Sequence, residues 1–373
     1  MPAIDILRAS LLLAVLLAGW GRLRGASLAS ARFFPILSSG VFAFFYLNNL
    51  RASPAALQTD LILNGASLAA VFWLGRLASS SGTPQHWRRV VAVLGLFAVL
   101  LGPELLRRSA GVPLTRTLGL SYLLFRLFDA VASQSRQSAP TRILLQTTAF
   151  PTLPVGPIVL HRQFGVIKRP FQISDVFYRR AVLLILIGAI KLFLLLPWVD
   201  AHWETGVRRP IGLSLPSLVN VAQTGAYYYV RLFLDFSGYS DLAVGICALL
   251  GLRIRHNFRQ PYLALSLRDF WRRWHITLAS FIQRHVYIPL GGGRGSAWQR
   301  TRNLGAAFIL LGAWHGLTPA FLAWGGLHAL GLAAEHAVRE RWLLRSSTIG
   351  ARALRYVLTQ SFILFSWVVF FWK

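Results

Sequence analysis

Long apolar runs separated by short polar connectors dominate the pattern of residues along the chain. A helix needs about 20 apolar residues to cross a bilayer, so each run is a candidate membrane span. The first half of the chain contains five such runs, at 3–20, 33–50, 61–78, 90–106 and 114–131. The second half contains five more, at 181–199, 217–234, 303–314, 316–337 and 352–371. The pattern predicts an all-α polytopic membrane protein.

Two interruptions break this regular pattern. The segment 150–158 carries three prolines, which forbid an ordinary spanning helix. Non-helical backbone at membrane depth needs surrounding protein or a water-filled cavity, so this segment is either an interfacial loop or a re-entrant segment. The second interruption is at 235–240, where Ser237 and Gly238 predict a break between the span 217–234 and a shorter helix at 241–252.

Residues 257–292 differ from the rest because charged and aromatic side chains alternate there. A lipid-exposed span would not tolerate so many charges, each of which costs about 2.5–3.5 kcal/mol at the bilayer centre. A soluble loop would not need so many aromatic residues. We therefore expect short interfacial or re-entrant helices that enter the bilayer without crossing it.

Composition supports a membrane protein. Charged residues make up 14% of the 373 residues, against roughly 25% in soluble domains. The formal charge of +27 comes from arginines that lie mostly in short connectors, where they set orientation and contact anionic headgroups, so we do not expect nucleic-acid binding. No long polar block stands apart from the spans, which predicts a single integral membrane domain over 1–373, with N-terminal spans in 1–132 and a core in 133–373.

Arginine placement also predicts the orientation of the first spans. Residues 3–20 read as a retained span, because no basic region precedes them and no clear cleavage pattern follows. The connector 21–32 carries Arg22, Arg24 and Arg32, which places it in the cytosol and the N-terminus outside.

Two tryptophan–histidine pairs, Trp274–His275 and Trp314–His315, contain the first candidate catalytic residues. His315 follows an apolar run, and a neutral imidazole in such surroundings can accept a proton as a general base. The adjacent Gly316 would leave room for a substrate. The alternative is a structural histidine that is hydrogen-bonded inside a helical bundle. His275 lies in a segment whose arginines and tryptophans suit an interfacial helix, but that placement does not explain the histidine.

Metal binding by the histidines and catalysis by nearby aspartates remain alternatives. His275, His315 and His328 would need a further ligand such as Asp235 or Asp241, and their spacing does not favour a metal site. Asp235, Asp241 and Asp269 suit ion pairs with nearby arginines better than catalysis.

Several ordered segments resemble the membrane-bound O-acyltransferase (MBOAT) superfamily, in particular the bacterial branch of alginate O-acetylases and teichoic-acid D-alanyl-transfer proteins. These segments are Asp235–Asp241, Asn257–Tyr262, Trp271–His275, Tyr287–Gly292, Trp314–Gly316 and Trp324–His328, with weaker matches at Gly119–Tyr122 and Gly156–Ile158.

The resemblance implies a helical funnel with re-entrant segments, and it implies catalysis by His315 with His275 as the second histidine of the same tunnel. His275 would position a reactant or stabilise the oxyanion. It also implies an acyl thioester donor, acetyl-CoA or an acylated carrier protein, on the cytosolic side and no bound cofactor or metal. The residues expected along the tunnel are Asp235, Tyr239, Asp269, Trp271, Trp274, Trp314, Trp324 and His328.

The implied function is transfer of a small acyl group, acetyl in the first place, to hydroxyls of an extracytoplasmic polysaccharide or glycopolymer at the bacterial cytoplasmic (inner) membrane. A carrier protein or an extracytoplasmic acyltransferase would be a partner. Gln283, Arg284 and His285 replace the family's frequent Arg-Asp-Tyr, and the short C-terminal region favours the D-alanyl-transfer type. A transporter or channel, or a non-catalytic membrane subunit, would share the composition but would not need His315 for product formation.

Overall fold

The computed structural model describes most of the chain, in these ranges: 57–79, 85–110, 119–133, 143, 146–152, 155–166, 175–203, 215–250, 252–338 and 348–372. The predicted spans 3–20 and 33–50, and the connector 21–32, lie outside the described residues.

Helices account for nearly all regular structure in the described ranges, which confirms the predicted all-α class. They are α1 (Leu57–Ser79), α2 (Gln85–Ala110), α3 (Leu120–Ala132), α4 (Asp175–Ile190), α5 (Leu196–Trp203), α6 (Leu215–Leu249), α7 (Leu267–Trp271), α8 (Ile276–Ile282), α9 (Ala297–His315), α10 (Pro319–Val338) and α11 (Ile349–Phe370). A π-helical turn at Lys191–Leu195 joins α4 to α5, and another at Gln283–Tyr287 follows α8. The strands β1 (Gly165–Val166) and β2 (Leu252–Arg253) form one antiparallel pair.

Three helical stretches in the described residues are long and apolar enough to cross a bilayer. They are Val176–Trp203, Leu218–Leu249 and Ile349–Phe370, with mean hydropathies of 2.6, 1.4 and 1.5. Their length and composition agree with the predicted polytopic membrane protein.

The described residues fall into two compact units. The first comprises the described part of Met1–Ile190 with Gly238–His256, and the second comprises Lys191–Ser237 with the described part of Asn257–Lys373. The expectation of one integral domain stays a prediction.

The predicted break near Ser237 and Gly238 is wrong, because α6 continues through both residues to Leu249. A glycine inside a helix costs roughly 1 kcal/mol relative to alanine, which is too little to end a long apolar helix. The close contact at this point requires a glycine on α4. A Cβ added at Gly188 would lie 2.6 Å from the Gly238 carbonyl oxygen, so α4 and this part of α6 approach closely.

The described parts of the proline-rich segment, 150–152 and 155–158, belong to the first unit, and two side chains bond to carbonyl groups in them. Arg126 of α3 is 0% exposed and donates to the carbonyls of Thr152 and, at 3.5 Å, Pro157. The Tyr239 hydroxyl donates to the Pro151 carbonyl at 3.2 Å. Buried backbone groups outside a helix need such partners, which explains how an irregular segment is stable there.

Residues 257–292 confirm the prediction of short helices, since no single helix crosses this described range. Ser266 caps α7 by accepting from the Asp269 N–H at 3.0 Å. Glu335 of α10 accepts from the Leu267 N–H at 2.6 Å and thereby fixes the start of α7 against α10. The polar ends of these helices therefore have specific partners within the second unit.

Candidate active site

His315 is the last residue of α9, a helix with a well-defined start. Ser296 and Gln299 form a reciprocal capping box at its N-terminus, with bonds of 3.2 and 2.8 Å. The helix ends because Gly316 takes φ 156°, and α10 begins three residues later at Pro319. The sharp connection places His315 beside the first turns of α10.

Aromatic rings surround the half-buried imidazole of His315. Their centroids lie at 4.6 Å for Trp314, 4.9 Å for Phe370, 5.6 Å for Trp324 and 5.8 Å for Phe321. No carboxylate pairs with His315 among the described residues. Such surroundings disfavour the imidazolium form and leave a neutral imidazole that can accept a proton.

Gly316 does not provide open space for a substrate, contrary to our expectation. A Cβ at this position would lie 3.0 Å from the Cδ2 and Cε2 atoms of Phe321. Glycine is needed here because the Phe321 ring packs against the backbone, and this contact helps to hold that ring beside His315.

His275 has an unusual backbone conformation for a residue other than glycine. It takes φ 42° and ψ 51° immediately before α8. Hydrogen bonds on both sides hold it there: the Ile276 N–H donates to the Asn257 carbonyl at 2.9 Å, and the Arg259 N–H donates to the Arg273 carbonyl at 2.9 Å. Left-handed backbone at a non-glycine residue is costly and is often found at functional sites.

The side chain of His275 is 4% exposed and has one polar partner among the described residues. Its Nδ1 lies 3.2 Å from Oδ1 of Asn257, while its Nε2 is buried without a hydrogen-bond partner. The Phe236 ring meets the imidazole edge-on at 4.6 Å. Burial, and secondly the neighbouring titratable group of His315, holds the pKa of His275 well below its usual range, so the ring is neutral near pH 7.

Trp314 brings the two histidines to one site. Its ring centroid lies 6.4 Å from that of His275 and 4.6 Å from that of His315. The two imidazoles therefore share one aromatic neighbour, although 40 positions separate them in sequence.

Trp271, Trp324 and His328 extend this cluster. The Trp271 Nε1–H donates to Nδ1 of His328 at 3.3 Å. The centroid of the Trp324 ring lies 4.8 Å from that of His328, because residues 324 and 328 occupy the same face of α10. The same ring lies 5.6 Å from His315 at the end of α9. His328 is 1% exposed, so it is a packed member of the wall.

Trp274 packs behind these residues instead of among them. It is 4% exposed and stacks on Phe270 at 5.6 Å, with Trp367 at 5.1 Å. Asp269 also has a local structural role, since it forms an ion pair with Arg273 through a 2.9 Å bond from Arg273 Nε. These two candidate tunnel residues support the helices that carry His275.

The two remaining candidates lie outside the aromatic cluster. Asp235 is exposed on α6, with no polar partner within hydrogen-bond distance among the described residues. Tyr239 belongs to the first compact unit, where its hydroxyl bonds to Pro151. The structure therefore gives Tyr239 a role in the proline-rich segment.

Sequence reasoning missed four residues that shape the site, namely Asn257, Phe236, Phe321 and Phe370. Phe321 and Phe370 carried no signal, because apolar residues in apolar helices look alike. Phe236 and Asn257 did carry one, because both lie in segments that resemble a known family. No group of three or more His, Cys, Asp or Glu side chains in the described ranges is arranged to hold a metal ion.

Comparison with known proteins identifies the family of the chain. The profile of the MBOAT, membrane-bound O-acyltransferase family matches residues 27–371, which is most of the chain. The chain belongs to the membrane-bound O-acyltransferase family. The predicted family and the predicted reaction class, O-acyl transfer, are thereby confirmed.

Individual relatives carry three different names. The chain is 30% identical to a probable alginate O-acetylase AlgI of Azotobacter vinelandii, over 90% of this chain and 74% of that protein. It is 36% identical to the peptidoglycan O-acetyltransferase of Helicobacter pylori, over 59% of this chain and 42% of that protein. It is 26% identical to the teichoic acid D-alanyltransferase of Bacillus subtilis, over 75% and 76% respectively.

Proposed function

We propose that this membrane-bound O-acyltransferase transfers an acetyl group from a thioester to a hydroxyl group of an extracytoplasmic polysaccharide or glycopolymer. The observation that carries the proposal is the convergence of His275 and His315 on Trp314 inside an aromatic cluster. The names of the relatives support an envelope polymer as acceptor, since they act on alginate, peptidoglycan or teichoic acid.

His315 is the general base in this proposal. As the hydroxyl oxygen attacks the thioester carbonyl, the C–O bond forms, and His315 takes the hydroxyl proton. When the C–S bond breaks, the imidazolium returns this proton to the sulfur, so that the base is regenerated. His275 positions a reactant beside it. The surrounding rings of Trp314, Trp324 and Phe370 exclude water and limit hydrolysis of the thioester.

The donor, the location and the partners follow from the same reaction. Acetyl-CoA or an acylated carrier protein would supply the thioester from the cytosol, and the acceptor would lie on the opposite side of the bacterial cytoplasmic membrane. A carrier protein or an extracytoplasmic acyltransferase would complete the pathway of the acyl group. No residue is required to hold a metal ion in this reaction.

D-alanyl transfer is the second candidate. The similarity to the Bacillus subtilis D-alanyltransferase favours it, because the alignment covers about three quarters of both chains. The two candidates differ in the acyl group and in the donor, but they use the same base and the same bond changes.

Reconstitution into liposomes tests the proposal. Purified protein in sealed vesicles would receive radiolabelled acetyl-CoA or D-alanyl carrier protein, and alginate, peptidoglycan and teichoic acid fragments would be supplied on the other side. We expect acetyl label on a polymer hydroxyl. Label from the D-alanyl donor alone would favour the second candidate, and no transfer from any donor would contradict both.

A further inference from the structure

The surroundings of His275 fix which of its two nitrogens carries hydrogen. Oδ1 of Asn257 lies 3.2 Å from His275 Nδ1, 3.1 Å from the Thr277 backbone nitrogen and 2.9 Å from Thr277 Oγ1. Asn257 and Thr277 are each 1% exposed. The oxygen of Asn257 thus joins three side chains, in addition to the aromatic contacts described above.

The backbone N–H of Thr277 decides the orientation of the Asn257 amide. A backbone N–H can only donate, so the Asn257 atom that faces it must be the oxygen and not the NH₂ group. The same oxygen faces His275 Nδ1, which must therefore carry a hydrogen in order to bond to it. In the neutral ring the other nitrogen, Nε2, then has a free lone pair and no hydrogen.

We propose that Asn257 is a positioning residue that holds His275 in the Nδ1–H tautomer, so that Nε2 accepts a hydrogen bond from a hydroxyl group of the acceptor substrate. This inference rests on the proposed acyl transfer. It replaces the expectation that a neutral His275 donates to the oxyanion, because Nε2 has no hydrogen to donate. A polysaccharide offers neighbouring hydroxyls, so His275 can hold one while His315 deprotonates another.

Two features of the site support this role. Nε2 of His275 is buried and lacks a partner among the described residues, and such an atom is costly unless a ligand bonds to it. The left-handed backbone of His275 is held by the Ile276–Asn257 bond, so Asn257 constrains both the main chain and the ring. Two further neighbours bear on the protonation of His275. His315 on α9 is titratable, whereas Phe236 on α6 is uncharged.

Asn257→Leu and Asn257→Asp separate positioning from packing. Leucine has a similar size but cannot accept, so kcat/KM for the acceptor should fall on the order of 10–100-fold. Aspartate keeps an oxygen that accepts from Nδ1–H, and its charge raises the pKa of His275. Because only the neutral ring accepts at Nε2, Asn257→Asp should restore much of the activity and move the acidic limb of the pH profile to higher pH.

Asn303 supplies the matched control, since it is a buried asparagine whose Nδ2 donates to the Gly292 carbonyl at 3.0 Å, away from the histidines. Asn303→Asp should leave the acidic limb where it is. A limb that stays in place in Asn257→Asp, or that moves equally in both variants, would overturn the proposal.

Nuclear magnetic resonance tests the tautomer without relying on activity. With ¹⁵N-labelled histidine, the difference between wild type and His275→Gln isolates the two nitrogens of His275. We expect a protonated Nδ1 and an unprotonated Nε2, and the reverse pattern would refute the inference even if acyl transfer is observed. The expected tautomer in a protein that transfers no acyl group would instead refute the proposed function.

Discussion

At the residue scale, buried polar side chains are explained by the groups they satisfy. Asn257 serves His275 and Thr277, Trp271 serves His328, and Arg126 serves carbonyls of the proline-rich segment. An unsatisfied buried donor or acceptor costs about 1–3 kcal/mol, so each of these partners constrains its neighbours strongly. Asn257 and Trp271 thus hold the side chains of His275 and His328 through hydrogen bonds.

Arg126 gives a prediction at this scale. Arg126→Met keeps the length of the side chain but leaves the Thr152 carbonyl without its donor, which should lower the free energy of unfolding by about 1–3 kcal/mol. The matched control is Arg162→Met, because Arg162 is exposed. Thermal unfolding in detergent would measure both, and equal stability of the two variants would show that Arg126 does not support this segment.

These residues also show what the sequence could predict. The resemblance to a family predicted that His315 and His275 lie near each other, and both rings are neighbours of Trp314 in the structure. It could not identify Asn257 as the partner of His275, because the bond depends on how two segments 18 positions apart pair. Asp269 was placed in the tunnel, whereas its 2.9 Å bond to Arg273 is the ion pair that the alternative interpretation expected.

At the element scale, close packing of helices decides where the site forms. A Cβ at Gly312 of α9 would collide with the Phe321 carbonyl oxygen of α10, and a Cβ at Gly325 of α10 would collide with the Phe308 carbonyl oxygen of α9. The two helices therefore approach through glycines on both sides. This approach brings Trp324 and Phe321 to His315.

Alanine substitutions on α9 test this packing. Gly312→Ala should destabilise the protein by about 1–3 kcal/mol through overpacking and should reduce acyl transfer. Gly305→Ala lies on the same helix with no atom within 4 Å of the new Cβ, so it should be neutral or stabilising by up to about 1 kcal/mol. The free energy of unfolding in detergent and the rate of acyl transfer would be measured for both variants. Equal effects of the two substitutions would contradict the proposed contact between α9 and α10.

The sequence predicted helices correctly where the cost of burying charge in a membrane decided between the alternatives. Alternating charges and aromatic rings at 257–292 excluded a spanning helix, and the structure has short helices there. The predicted break at Gly238 was wrong because a single glycine weakens a helix without ending it. The sequence also does not show that Gly188 of α4 packs against the Gly238 carbonyl oxygen, because that contact depends on how the two helices pair.

At the scale of the whole molecule, family membership and composition agree on a membrane enzyme with a strongly basic chain of formal charge +27. The residues around His315 and His275 lie in the second compact unit, whereas Tyr239 lies in the first. The proposed function includes an orientation, in which donor and acceptor approach from opposite sides of the membrane.

Reporter fusions test the orientation proposed for the first spans, which lie outside the described residues. Arg22, Arg24 and Arg32 predict that a reporter within 21–32 reads cytosolic. A second fusion within 51–60, which carries only Arg51 as a basic residue, should read extracytoplasmic. The opposite pair of readouts would invert this part of the proposed topology.

The most direct test of the central claim compares two histidines in one bilayer assay. His315→Ala removes the proposed base and should lower the rate of acyl transfer by roughly 10²–10⁴, while insertion and thermal unfolding stay near wild type. His202→Ala is the control, because His202 is exposed and stacks on Trp198 at 4.8 Å, away from the aromatic cluster. It should retain the wild-type rate. A folded His315→Ala variant that transfers acyl groups as fast as His202→Ala would contradict the account.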